Sequence, residues 1–173
     1  MIKKFKYALI LASILISPFA VAEKRILFVC TGNTGRSVMA EYYANYYATK
    51  QHLDIIANSA GVNVDPKNTS PEQFAIQVMA QQGINIKDHT AQQVDKINIS
   101  NATLVLAMTE KQKQAILKIA QKGKNIRTLT ECATGTNTDI EDAYGKPVNI
   151  YKETRNQIEA NIKKIYGNRG QCL

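Results

Sequence analysis

The sequence predicts an α/β domain of three layers, with a central four-stranded parallel sheet covered by helices on both faces. Three observations support this. Short apolar runs alternate with helix-period segments along the chain, the order that parallel strands joined by crossover helices require. No internal repeat or low-complexity linker interrupts that order. The length, 173 residues, suits one domain with a sizeable core.

The first stretch stands apart from the domain. Lys3, Lys4 and Lys6 form a basic start, residues 8–16 are almost wholly apolar, and Pro18 precedes the small residues Ala20 and Ala22. This is the pattern of a secretory signal peptide over residues 1–22, cleaved after Ala22. The apolar run is shorter than the roughly 20 residues that span a bilayer, which disfavours a lasting membrane insertion. The expected mature domain is residues 23–173, periplasmic or secreted. Its formal charge falls from +8 to +5 with the three lysines lost. A moderately basic surface suits anionic substrates. No arginine-rich tract points to nucleic acid.

Within the domain, residues 25–29 form a short apolar run, read as a buried strand. A glycine-containing loop follows, then a helix over about residues 37–50. Residues 55–60 read as the second strand. Ser70 is placed to cap a helix running to about Gln82, with Gly83 as its stop. Residues 102–108 are the third strand, and residues 111–121 an amphipathic helix. Residues 125–129 make a weaker fourth strand. A polar loop runs to Pro147, and residues 148–166 read as the last helix. In such sheets ligands sit at the carboxyl ends of the strands.

Three cysteines, Cys30, Cys132 and Cys172, lack any Cys-x-x-Cys spacing, and the only histidines are His52 and His89. Neither a zinc site nor a Ser-His-Asp triad is indicated, and no metal or cofactor is expected. An odd number of cysteines in an exported chain implies a free thiol or an intermolecular bond.

The informative segment is Cys30-Thr31-Gly32-Asn33-Thr34-Gly35-Arg36-Ser37, at the carboxyl end of the first strand. Such a short loop can wrap a tetrahedral oxyanion, with successive backbone N–H groups pointing inward. Gly32 and Gly35 allow the close approach and unusual dihedrals that wrapping requires. A helix N-terminus beyond adds positive partial charge. Arg36 can grip two anion oxygens at once, which lysine cannot. Helix N-termini and nearby cations are also what make a cysteine thiolate nucleophilic near neutral pH. Ser37 is placed to hydrogen-bond that thiolate. Bottom-up, this is an anion cradle with a nucleophile in its floor.

Residues 30–37, with Met39-Ala40-Glu41 after them, look like the phosphate loop of low-molecular-weight protein tyrosine phosphatases. The resemblance continues at residues 58–61, 83–84, 88–93 and 102–109, and ends at Asp139-Ile140-Glu141-Asp142-Ala143-Tyr144-Gly145, which resembles the family's acid loop. It implies a phosphatase acting on phosphotyrosine or other aryl phosphate monoesters, on a phosphorylated protein or a small ester. Cys30 would form a cysteinyl-phosphate, Arg36 would hold the phosphoryl oxygens, and Asn33 would keep the loop's shape. Asp142 would be the general acid, Asp139 its structural neighbour, and Tyr144 a wall of the substrate cleft.

Three positions depart from that pattern. Gly35 stands where many members carry a second loop cysteine, Val38 where proline follows the serine, and Ala143 where proline follows the acid. Without the loop cysteine, the nucleophile of an exported enzyme loses a protective local disulfide. A Cys132–Cys172 bridge would leave Cys30 as the free thiol, whereas a Cys30–Cys132 bond would act as a redox switch. Two rival readings remain: an arsenate reductase on the same fold, which needs further cysteines near the site, and a non-catalytic phosphate-binding module. Tyr42, Tyr43, Tyr46 and Tyr47 are read as core and boundary packing. Lys152, Arg155, Lys163 and Lys164 are read as a solvated face.

Overall fold

A computed structural model describes residues 23–120, 124–167 and 172. The expected leader, residues 1–22, lies outside the described residues, as does Gln121, the expected end of the amphipathic helix. The strands are β1 (Lys24–Cys30), β2 (Ile55–Gly61), β3 (Leu104–Ala107) and β4 (Ile126–Thr128). The helices are α1 (Arg36–Lys50), α2 (Gln73–Ala80), α3 (Lys96–Asn101), α4 (Glu110–Ile119), α5 (Leu129–Thr134) and α6 (Val148–Gly167). The sheet has four strands in the order β2-β1-β3-β4, every neighbouring pair parallel.

The strand period of two divides the core. Ile26, Phe28 and Cys30 of β1 face one layer with Leu104 and Leu106, where α1, α2, α5 and α6 pack. Leu27 and Val29 face the other layer with Val105 and Ala107, where Ile99 of α3 and Ile116 of α4 close the core. Because β1 and β3 are buried on both faces, they read as continuous apolar runs rather than alternating ones. Among the described residues, no helix is long and apolar enough to cross a membrane.

The structure corrects several local readings. Ser70 does not cap α2, because Pro71 intervenes and Glu72 takes the cap position. The polar loop before Pro147 contains α5, opened by a capping box between Thr128 and Glu131. A similar box between Asp95 and Asn98 opens α3. Arg155 is not on a solvated face: it is buried, and its Nη1 donates to the Val78 carbonyl at 2.8 Å. Of the four tyrosines on α1, Tyr43 is buried, Tyr42 and Tyr47 pack at the core's edge, and Tyr46 is exposed.

Candidate active site

β1 ends at Cys30 and α1 begins at Arg36, so the loop between them sits where a strand end meets a helix N-terminus. Cys30 is buried in its floor. Its Sγ accepts from the Asn33 N–H at 3.3 Å and lies 3.1 Å from the Ser37 hydroxyl. The left-handed turn of the loop falls on Asn33, at φ 57°, and not on Gly32 or Gly35. Asparagine tolerates that region better than other side chains. Here the Asn33 amide also fixes it. Nδ2 donates to Ser37 Oγ at 2.9 Å and Ser59 Oγ at 2.7 Å, while Oδ1 accepts from Gln92 N at 2.8 Å. Gly61 at the end of β2 permits this packing, since a Cβ there would stand 2.6 Å from the Thr31 carbonyl oxygen.

Behind Asn33 lies a half-buried polar pair. His89 Nε2 is 3.2 Å from Asn33 Oδ1, which makes Nε2 the protonated nitrogen and donor. The Ser59 hydroxyl donates to Glu41, and His89 Nδ1 lies 3.7 Å from the same carboxylate oxygen. Burial lowers the His89 pKa below its ordinary value and raises that of Glu41. Both shifts disfavour charge beneath the loop.

The acid loop reaches the cradle from the opposite side. Ile140 N donates to the Met108 carbonyl at 2.8 Å, and Asp139 Oδ1 accepts from Glu110 N at 2.8 Å at the start of α4. Ala143 is buried in the core and anchors the loop where proline is absent. Asp142 is thereby brought to Arg36, whose Nη2 donates to Asp142 Oδ2 at 2.6 Å. Tyr144, 66% exposed, stands at the mouth. Cys30, Arg36, Asp142 and Tyr144 line one cavity of about 240 Å³.

Three contributors escape sequence reasoning. Glu72 accepts from the Thr34 hydroxyl at 3.0 Å and from the Tyr151 hydroxyl in a short bond, and both Glu72 and Tyr151 line the cavity. Gln112 of α4 donates from Nε2 to Thr31 Oγ1 at 3.0 Å. In the sequence each reads as an ordinary helix residue, and only the fold brings them to the loop. Cys132 and Cys172 are disulfide-bonded, their Cα atoms 5.6 Å apart, within the span such a bond requires. Among the described residues, no cluster of three or more His, Cys, Asp or Glu side chains could hold a metal.

A thiol under loop amides, an arginine beside it and a carboxylic acid across the cleft define a cysteine-dependent phosphatase. The sequence profile of the low molecular weight phosphotyrosine protein phosphatases matches residues 25–169, and the chain belongs to that family. It is 34% identical to a protein-arginine-phosphatase of Bacillus subtilis, over 81% of this chain and 93% of the relative. It is 28% identical to an arsenate reductase of Staphylococcus aureus, over 84% of this chain and 98% of the relative. Among solved structures, the low molecular weight protein tyrosine phosphatase of T. tengcongensis superposes with a TM-score of 0.79 at 35% identity, covering 84% of this chain and 99% of that one.

Proposed function

We propose that the protein hydrolyses phosphotyrosine or another aryl phosphate monoester through a cysteinyl-phosphate on Cys30. The observation that carries the reading is Cys30 Sγ beneath the loop, with the Asn33 N–H and the Ser37 hydroxyl on it, facing the Arg36–Asp142 pair. The phosphoryl group enters among the N–H groups of residues 31–36, and the Arg36 fork binds two of its oxygens. Sγ attacks phosphorus in line as the bond to the leaving oxygen breaks. Asp142 protonates that oxygen, then takes a proton from the water that cleaves the S–P bond. The Ser37 hydroxyl stabilises the thiolate as it leaves. Positioning and fixed positive charge supply most of what phosphoryl transfer needs. Cys30→Ser should abolish turnover of 4-nitrophenyl phosphate while retaining phosphate binding, and substantial turnover in that variant would overturn the mechanism.

A second reading, phosphoarginine as substrate, is favoured by the cavity wall. Asp65 and Glu72 put carboxylates in that wall, beside Met39, Ala143 and the rings of Tyr144 and Tyr151, and a carboxylate there suits a leaving group that carries positive charge. The B. subtilis relative, named a protein-arginine-phosphatase, supports the same reading. Comparing kcat/KM for phosphoarginine and 4-nitrophenyl phosphate decides between the two. The arsenate reductase reading is weaker, since the two cysteines besides Cys30 are joined to each other. Export over residues 1–22 is part of the proposal, and a disulfide suits an oxidising compartment. A mature chain beginning at Glu23 in the exported fraction is the expected result, and an uncleaved intracellular chain would refute it.

A further inference from the structure

Glu72 holds the cap position of α2, yet its side chain makes no cap hydrogen bond. It turns to the phosphate loop instead. Oε1 accepts from the Thr34 hydroxyl at 3.0 Å, Oε2 accepts from the Tyr151 hydroxyl, and the Glu72 backbone N–H donates to the Thr34 carbonyl at 2.9 Å. The carboxylate also fills the notch left by Gly35, where a Cβ would lie 2.8 Å from Oε1 and 3.2 Å from Cδ and Oε2. A single carboxylate is thus clamped to the cradle, in the wall of the cavity that holds Cys30 and Arg36.

That placement works against phosphate alone, because an anion in the wall of an anion site repels the ligand. It makes sense when the substrate carries a positive charge next to phosphorus. Both hydroxyls on Glu72 donate, which suits an ionised carboxylate. Burial, with the Glu72 hydrogen bond and charge behind it, pushes the Tyr151 hydroxyl well above its ordinary pKa and keeps it a donor. Asp65, also in the wall, is occupied by its own loop, accepting from Lys67 N at 2.9 Å.

We propose that Glu72 is a specificity-determining residue, whose carboxylate receives the guanidinium of a phosphoarginine side chain and disfavours aryl leaving groups. The inference rests on the phosphoarginine reading. Sγ–P forms as P–N breaks, the electron pair stays on nitrogen, and Asp142 supplies the proton that completes the guanidinium. The leaving group departs opposite Sγ, toward the mouth, carrying a positive charge that Glu72 offsets. Water then cleaves S–P, its proton going to Asp142, and the thiolate is restored.

The test is the ratio of kcat/KM for phosphoarginine to that for 4-nitrophenyl phosphate. Glu72→Gln keeps the size and acceptor for Thr34 but removes the charge. It should lower phosphoarginine turnover roughly 10- to 100-fold, the worth of one hydrogen bond to a charged group. Turnover of 4-nitrophenyl phosphate should rise several-fold, and inorganic phosphate should inhibit more tightly. Glu72→Asp should recover part of the ratio. Tyr151→Phe, which frees the carboxylate without altering its charge, should lower the ratio by a smaller factor and serves if Glu72→Gln does not fold. Equal effects on both substrates, in either variant, would overturn the role given to Glu72. A wild-type enzyme active on 4-nitrophenyl phosphate and inert toward phosphoarginine would instead overturn the reading beneath it.

Discussion

Asn33→Ala tests how the cradle is held. The Asn33 side chain makes three hydrogen bonds within 2.9 Å, to Ser37, Ser59 and Gln92, and a fourth at 3.2 Å to His89. All four lie in a buried or part-buried setting, where each is worth about 1 kcal/mol net. Alanine at φ 57° adds about 1 kcal/mol of left-handed strain. The expected loss is therefore about 4–5 kcal/mol. In a domain of this size that lowers the thermal midpoint by roughly 10–20 °C. The assay is thermal unfolding followed by circular dichroism, with kcat/KM measured below the transition. Asn33→Gly is the control. It relieves the strain but costs up to about 1 kcal/mol of chain entropy, so it should fall within about 1 kcal/mol of alanine. A glycine variant as stable as the wild type would mean that the backbone angle alone shapes the loop. An alanine variant within about 0.5 kcal/mol of wild type would refute the reasoning altogether.

Asp142→Asn should cut turnover of poor leaving groups by roughly 10²–10⁴-fold, with a smaller loss for nitrophenolates that need no proton. An equal loss across leaving groups would give Asp142 another part. Reducing the Cys132–Cys172 bond, which spans 40 residues of sequence, should cost about 4 kcal/mol by chain entropy. Peptide mapping of the oxidised protein should find Cys30 as the free thiol, and a Cys30–Cys132 bond would contradict it. Burial lowers the His89 pKa from its ordinary 6.5, so unfolding exposes a group that binds protons more readily. The stability it contributes is present above pH 6.5 and lost as pH falls through the lower folded value. Wild type should therefore lose stability relative to His89→Gln on acidification, and parallel pH curves would count against the assignment.

The sequence made the sheet and the cradle legible for a physical reason. β1 and β3 are buried on both faces, so their apolar runs stand out, and the cradle is contiguous, from Cys30 to Ser37. The two short helices were missed because each has only six residues, too few for a helical period to show. Their capping boxes were the available signals: Asp95 with Asn98, and Thr128 with Glu131. Arg155 reads as solvated because it is charged, yet it sits on the buried stripe of α6 with Tyr151, Ile158 and Ile162, where its guanidinium donates to the Val78 carbonyl. Glu72 and Tyr151 lie 79 residues apart, and no local pattern links two such positions. The expected roles for Gly32 and Gly35 were half right. Gly35 is required for space, since Glu72 occupies it, and its backbone at φ −129°, ψ −96° is neither helical nor extended, but the left-handed angle belongs to Asn33.

The Arg36–Asp142 pair bears on how the proposed cycle begins. The two groups meet at 2.6 Å, although Arg36 has 7% of its side chain exposed and Asp142 has 56%. A pair with one partner so exposed is worth up to about 1 kcal/mol. An entering phosphoryl group offers Arg36 a doubly charged, bidentate partner, which outweighs one exposed carboxylate. The contact is therefore cheap to break, and breaking it frees Asp142 beside the leaving group just as Arg36 takes the phosphoryl oxygens. The same exchange accounts for an acid loop fixed at Ile140 and Ala143 but open at Asp142. The loop's ends hold the carboxylate at Arg36, and in the proposed cycle the same anchoring keeps it beside the leaving atom as Arg36 turns to phosphate.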